Sequence, residues 1–150
     1  LSRWRAMQRM VERLPLSVPV DHYHISSSFG KREDPINGRM GMHYGLDLGA
    51  VEGSRVYAPA PGKVVDAGWN GQYGRFVEID HGMGVHTRYG HLKEALVETG
   101  DKVTYRDKIA LVGNSGRSTG AHLHYEVQVD GEPVDPYNFI KAGRYVFKEQ

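Results

Sequence analysis

Two clusters of histidine and aspartate carry the chemistry this sequence offers: His43-Tyr44-Gly45-Leu46-Asp47 in its first third and His122-Leu123-His124 near its end. Successive side chains on a strand point to opposite faces, so His122 and His124 project from one surface and Leu123 and Tyr125 from the other. Imidazoles and one carboxylate drawn from such an H-x-x-x-D and H-x-H are donors that a zinc ion accepts. Three protein ligands leave one coordination position for water and substrate, which separates a catalytic site from a structural one.

Membership of the site has to be sorted. His43 and Asp47 would share a helix face at a spacing of four, but Gly41, Gly45 and Gly49 argue against a helix. The better reading is a loop delivering His43 and a strand start delivering Asp47. Glu126 falls on the strand face of His122 and His124, so those three form a rival ligand set. The preferred role for Glu126 is to orient a ligating histidine by a hydrogen bond.

Eight histidines are present, and a lone histidine says little. His22-Tyr23-His24 is a second H-x-H without an H-x-x-x-D beside it, and reads as a solvated or edge-strand pair. His81, in Asp80-His81-Gly82-Met83-Gly84, reads as a hydrogen-bonded turn residue. His86, alternating with Arg88 along a strand, has a minor claim to line the site.

The elements that position these groups are short β segments broken by glycine. Residues 20–26, 45–49, 55–57, 63–67, 76–80, 85–89, 108–112 and 123–129 read as strands, separated by turns such as Pro61-Gly62, Asn70-Gly71 and Asp130-Gly131. The pattern predicts an all-β, antiparallel sandwich or barrel. Residues 92–96 give the one internal helical hint. Ahead of this region, Leu1, Trp4, Met7, Val11 and Leu14 form a helical apolar stripe flanked by Arg3, Arg5, Arg9 and Arg13, and Pro15 stops it. Residues 1–18 are therefore expected to be a short helix and linker at the end of an upstream region, and 19–150 the functional domain. The helix should pack on the domain or continue a coiled coil, with a membrane surface the lesser option.

Bulk composition narrows the class. With 150 residues, 39% of them hydrophobic, the chain has the size of one domain with a genuine core. Its 19 Lys+Arg against 18 Asp+Glu leave no cationic excess to neutralise phosphates, so a nucleic-acid partner is not expected. The absence of cysteine removes thiolate metal sites, disulfides and thiol nucleophiles together. The chain opens on Leu1, as expected of a piece of something longer.

At this point the residues carry a resemblance. Ser28-Phe29-Gly30-Lys31-Arg32, Pro35, Gly38, His43 to Ala50, Val56-Tyr57-Ala58, Gly62 to Val65, Tyr89-Gly90-His91-Leu92 and Gly113 to Glu126 together resemble the lysostaphin/LytM-type zinc metallopeptidases, in order from about residue 26 to 136. The resemblance implies one zinc held by His43, Asp47 and His124, with His91 and His122 acting on the water and the transition state. His122 is assigned as base and His91 as stabiliser of the oxyanion. Two positions depart from the family: Gly90 replaces an alanine, which is expected to loosen the aim of His91, and Tyr125 replaces a phenylalanine.

The implied activity is endopeptidase cleavage of peptide crosslinks in bacterial peptidoglycan, in the cell envelope and, by preference, the periplasm of a Gram-negative bacterium. Arg32, Asn37 and Arg117 are candidate contacts to the peptide stems, and a missing upstream region could supply membrane or coiled-coil attachment. The chief alternative is a non-catalytic LytM-type module that activates cell-wall amidases. A lipoyl-like or phosphotransfer-like β domain is weaker, because neither gives the H-x-x-x-D a role. The loop from Gly113 to Gly120 lacks the Gly-Lys-Ser/Thr of a phosphate cradle and reads as a border of the substrate groove.

Overall fold

The computed structural model describes residues 2–33, 36–116, 118 and 120–148, without the side chains of Arg32, Phe147 and Lys148. Helix α1 (Arg3–Arg13) opens the chain, with Ser2 Oγ accepting a hydrogen bond from Arg5 N as its cap. Leu14 turns extended ahead of Pro15, as the residue before a proline prefers. No residue of α1 is buried. Its apolar stripe overhangs a groove lined by Trp4, Met7, Val11, Pro59, Pro61 and Tyr105. Leu16 and Val20 in the following segment are buried against the body.

Twelve strands follow among the described residues: β1 (His24–Ser27), β2 (Gly30–Glu33), β3 (Met40–His43), β4 (Leu46–Gly49), β5 (Arg55–Tyr57), β6 (Gly62–Trp69), β7 (Arg75–Asp80), β8 (Val85–Ala95), β9 (Lys102–Val103), β10 (Lys108–Val112), β11 (His122–Val129) and β12 (Glu132–Val134). All pairings are antiparallel. The main sheet runs β1-β4-β11-β8-β7-β6-β9, with β10 joining β8 to β5 and β12 alongside β11; β2 and β3 form a separate hairpin. The expected all-β antiparallel class is what is observed.

Alternation along the central strands creates the core and the site from the same residues. Leu46 and Leu48 of β4, Thr87 and Tyr89 of β8, and Leu123, Tyr125 and Val127 of β11 are buried on one face. Asp47 and Gly49, Arg88 and Gly90, and His122, His124 and Glu126 therefore point to the other. Burying a leucine or valine side chain contributes roughly 1.5–3 kcal/mol, so a one-residue slip of β11 is strongly disfavoured.

One expectation fails here. Residues 92–95 are strand, not helix: Leu92 is buried, and the end of β8 pairs with β10 through Ala110↔Ala95 and Leu111↔Glu94. The pairing supplied by β10 overrides a one-turn helical pattern. A C-terminal helix, α2 (Pro136–Lys148), is also present. Asp135 Oδ1 accepts from Tyr137 N at 2.9 Å, with Pro136 in the first turn, and Ile140 enters the core. Neither described helix is long and apolar enough to cross a membrane.

Candidate metal centre

Asp47 is the second residue of β4, and the pairing His124↔Asp47 places it beside the second histidine of the H-x-H. His43 ends β3 and pairs with Gly30, so a hairpin strand delivers it rather than the loop expected from sequence. Between them Gly45 makes a close passage: a Cβ there would lie 2.8 Å from both His124 Cε1 and the Tyr125 carbonyl oxygen. Only glycine allows the chain from β3 to pass over β11 at this point.

Four carbonyl or carboxylate acceptors fix the imidazoles. His43 Nδ1 donates to the Ser28 carbonyl at 2.8 Å, His91 Nδ1 to Ser115 at 2.6 Å and His122 Nδ1 to Gly120 at 2.7 Å. His124 Nε2 donates to Glu126 Oε2 at 2.7 Å. Each bond spends one ring N–H and leaves the other nitrogen facing the cleft.

What those nitrogens face is decisive. His124 Nδ1 lies 2.8 Å and His43 Nε2 3.3 Å from the same oxygen, Asp47 Oδ1. In the neutral rings these are lone pairs aimed at an acceptor, an arrangement that only a shared cation satisfies. Without a metal the proton serves: burial disfavours the charged His124 ring, but its bonds to Asp47 and Glu126 outweigh that and raise its pKa to about 9. Burial likewise opposes the Asp47 carboxylate, yet the His124 and His43 rings beside it hold it well below the usual carboxylate range.

A dication bound here would take the place of that proton. The ligand atoms of His43, Asp47 and His124 lie within 4.8 Å of one another in largely buried surroundings. Two imidazoles and a carboxylate, each ring oriented by an outer hydrogen bond, fit zinc with a fourth position open. Glu126 occupies the orienting position and is not one of the three grouped donors.

His91 and His122 flank this group with ring centroids 4.9 Å apart, and His122 Nε2 is 3.7 Å from Asp47 Oδ1. His91 stands at φ 59, where β8 leaves β11 and turns toward β10, and its bond to Ser115 aims the ring. At Gly90 the missing Cβ leaves room for the Tyr73 ring, whose Cδ1 would lie 3.2 Å from such an atom. Burial lowers the His91 pKa to about 4, against the pull of the Ser115 carbonyl. The oxyanion-donating role expected for His91 requires a second ring proton, on Nε2, beside the Nδ1–H given to Ser115.

Sequence reading missed the polar layer behind Glu126. Tyr73 OH donates to Glu126 Oε2 at 2.8 Å, Arg88 Nη1 to Glu126 Oε1 at 3.1 Å and Arg88 Nε to Glu78 Oε1 at 3.1 Å. Burial works against the Glu126 carboxylate, but these partners and His124 lower its pKa below the ordinary value. The alternation of Arg88 with Gly90 on β8 was the available signal. His86 shares that face but is four residues from Gly90 and bonds Glu78 at 2.8 Å, so it does not join the site. His81 is buried and hydrogen-bonded, as its turn-like context suggested.

Asn37 lies in the turn of the β2–β3 hairpin, where its Oδ1 accepts from Arg39 N. Arg32 belongs to β2 by its backbone; its side chain and the whole of Arg117 lie outside the described part of the structure.

An antiparallel sheet that presents a His–Asp–His donor set beside two further imidazoles has the make-up of a mononuclear metallohydrolase. The chain belongs to peptidase family M23, which matches residues 41–136. It is 40% identical over 138 residues to the peptidoglycan DD-endopeptidase ShyA of Vibrio cholerae, covering 91% of this chain and 31% of that protein. A zinc-containing peptidase from Vibrio cholerae superposes with a TM-score of 0.74 at 42% identity, covering 79% of this chain and 38% of that one. The catalytic domain of lysostaphin from Staphylococcus simulans gives 0.73 at 34% identity, covering 79% and 92%. The chain spans less than a third of the length of the curated relatives it matches.

Proposed function

We propose that this domain is a zinc-dependent endopeptidase that hydrolyses peptide crosslinks of bacterial peptidoglycan. The observation that carries this reading is the convergence of His43, Asp47 and His124 on one point, with the Nε2 atoms of His91 and His122 left available beside it. When bound, zinc lowers the pKa of water to about 7 and polarises the scissile carbonyl. His122 Nε2 takes a proton from the attacking water, and its Nδ1 bond to Gly120 stabilises the ring once charged. His91 Nε2, kept neutral by burial, accepts a hydrogen bond from the water's other hydrogen and fixes the direction of attack. The protonated His122 then delivers its proton to the leaving amine.

The D-alanyl to diamino-acid crosslink is the preferred bond, a preference supported by the similarity to a DD-endopeptidase. Such a substrate implies work in the envelope, in the periplasm of a Gram-negative cell. The exposed apolar stripe of α1 suits attachment through an upstream region. An amidase-activating module would have no use for a complete catalytic set, so that reading is not preferred.

Zinc-loaded protein should convert dimeric muropeptides in sacculi with D-alanyl crosslinks into monomers, read by mass spectrometry, and leave pentaglycine bridges intact. Cleavage of pentaglycine alone would move the specificity. Release from neither would sink the enzyme reading.

A further inference from the structure

The second H-x-H, set aside on sequence, lies on the cleft face of the sheet. His24 of β1 pairs with Gly49 of β4, and Gly49 pairs on its other side with His122 of β11. Residues directly opposite in antiparallel strands project from the same face, so His24, Gly49 and His122 form one row across three strands. The row stands beside the one that holds Asp47 and His124.

Gly49 has no side chain, and the His24 ring fills its place. An ideal Cβ on Gly49 would collide with three ring atoms of His24, Nδ1 lying 2.9 Å away and Cε1 and Nε2 closer still. The imidazole thus leans over β4 toward His122 instead of standing upright at the sheet edge. Six of the eight histidines, His43, His81, His86, His91, His122 and His124, bond a carbonyl, hydroxyl or carboxylate. The ring of His24, an exposed residue, makes no hydrogen bond among the described residues. The ring rests over Gly49 while its polar atoms stay uncommitted, which suits a ligand contact.

We infer that His24 is a substrate-binding residue: its ring N–H donates to an oxygen of the bound peptide on the far side of His122 from His91. An imidazole keeps at least one N–H in either charge state, so it can serve a carboxylate or an amide carbonyl. The inference rests on the peptidase reading for the identity of the ligand, and it extends the cleft to β1, two strands beyond the strand of His122.

The test combines kinetics with binding on the zinc-loaded protein, using crosslinked muropeptide for cleavage and an uncrosslinked stem peptide, as free acid and as C-terminal amide, for affinity. His24→Ala is expected to raise KM about five- to tenfold, the loss of one hydrogen bond, with kcat and zinc content retained. Gly49→Ala should raise KM similarly by displacing the ring, and should add nothing in the His24→Ala background, because the two act through one contact. Weakened binding of the acid alone assigns a carboxylate, and of both forms a carbonyl.

Unchanged KM and stem-peptide affinity in His24→Ala, or full additivity with Gly49→Ala, would overturn the inference while leaving the peptidase reading intact. A parent protein that binds the stem peptide through His24 yet cleaves nothing would overturn that reading and keep this one. A parent that neither binds nor cleaves ends both.

Discussion

Glu126 Oε2 lies 2.7 Å from His124 Nε2, and this contact decides which nitrogen of His124 faces Asp47. With Nε2–H spent on the carboxylate, Nδ1 is left as the lone pair directed at the centre. Replacing Glu126 by Gln keeps its shape but removes the charge that favours this tautomer. The expected result is a 10- to 100-fold weaker zinc affinity, as about that loss follows removal of an orienting partner. Competition against a chelator of known affinity measures it. An unchanged affinity would show that Asp47 and His43 alone set the orientation.

His91 and His122 touch the cleft but belong to no ligand triplet, which separates their variants from those of the donors. Asp47→Ala should lose both zinc and hydrolysis. His122→Ala should keep its zinc, read by atomic absorption, and lose about 10²- to 10⁴-fold in kcat, the range for removal of a general base. His91→Ala should also keep zinc and retain more activity than His122→Ala, because it orients the water without accepting its proton. The reverse ranking would exchange the two roles.

The parts of this site legible in sequence are those carried by local pattern. The i, i+2 spacing of His122 and His124 fixes a shared face wherever β11 is a strand, and Leu123, Tyr125 and Val127 on the other face make it one. Residues that act through register were not legible. His24 joins the row only because Gly49 sits opposite both it and His122, and no local spacing encodes that pairing. Arg88 and Tyr73 meet Glu126 from β8 and from the 3₁₀ turn Gly71–Tyr73, 38 and 53 residues away. The helix α2 had a local signal in Asp135-Pro136, but the strand-rich grammar before it hid the change of period.

Tyr125 stands in the core with its hydroxyl unpartnered among the described residues. Its ring packs on Tyr89 at 5.5 Å, a contact that a phenyl ring keeps. An unsatisfied buried hydroxyl costs about 1–3 kcal/mol, so Tyr125→Phe is expected to stabilise the protein by about 1 kcal/mol. Chemical denaturation with an unchanged slope would read that as a shift of midpoint. Destabilisation instead would mean that the hydroxyl is satisfied after all.

His81 supplies a pH dependence with a definite sign. It is fully buried, donating Nδ1–H to the Pro61 carbonyl at 2.7 Å and accepting at Nε2 from Thr87 Oγ1 at 2.6 Å, with Tyr89 OH next in the chain. Burial lowers its pKa below 6.5, outweighing the Pro61 carbonyl and Asp80 that favour the charged ring. The unfolded chain therefore binds a proton that the folded protein refuses, between the ordinary histidine value and the lowered one. Stability must then rise with pH through that window, and it declines as acid is added below about 6.5. His81→Gln removes the titrating ring and should flatten this part of the pH profile, at a cost of about 1–3 kcal/mol near neutrality from the disturbed hydrogen bonds. Denaturant midpoints of both proteins between pH 7 and pH 5 (about half a unit apart) measure the difference in slope, which linkage fixes at up to about 1.4 kcal/mol per pH unit. Parallel profiles would show that the ring takes up its proton in the folded protein as readily as in the unfolded chain.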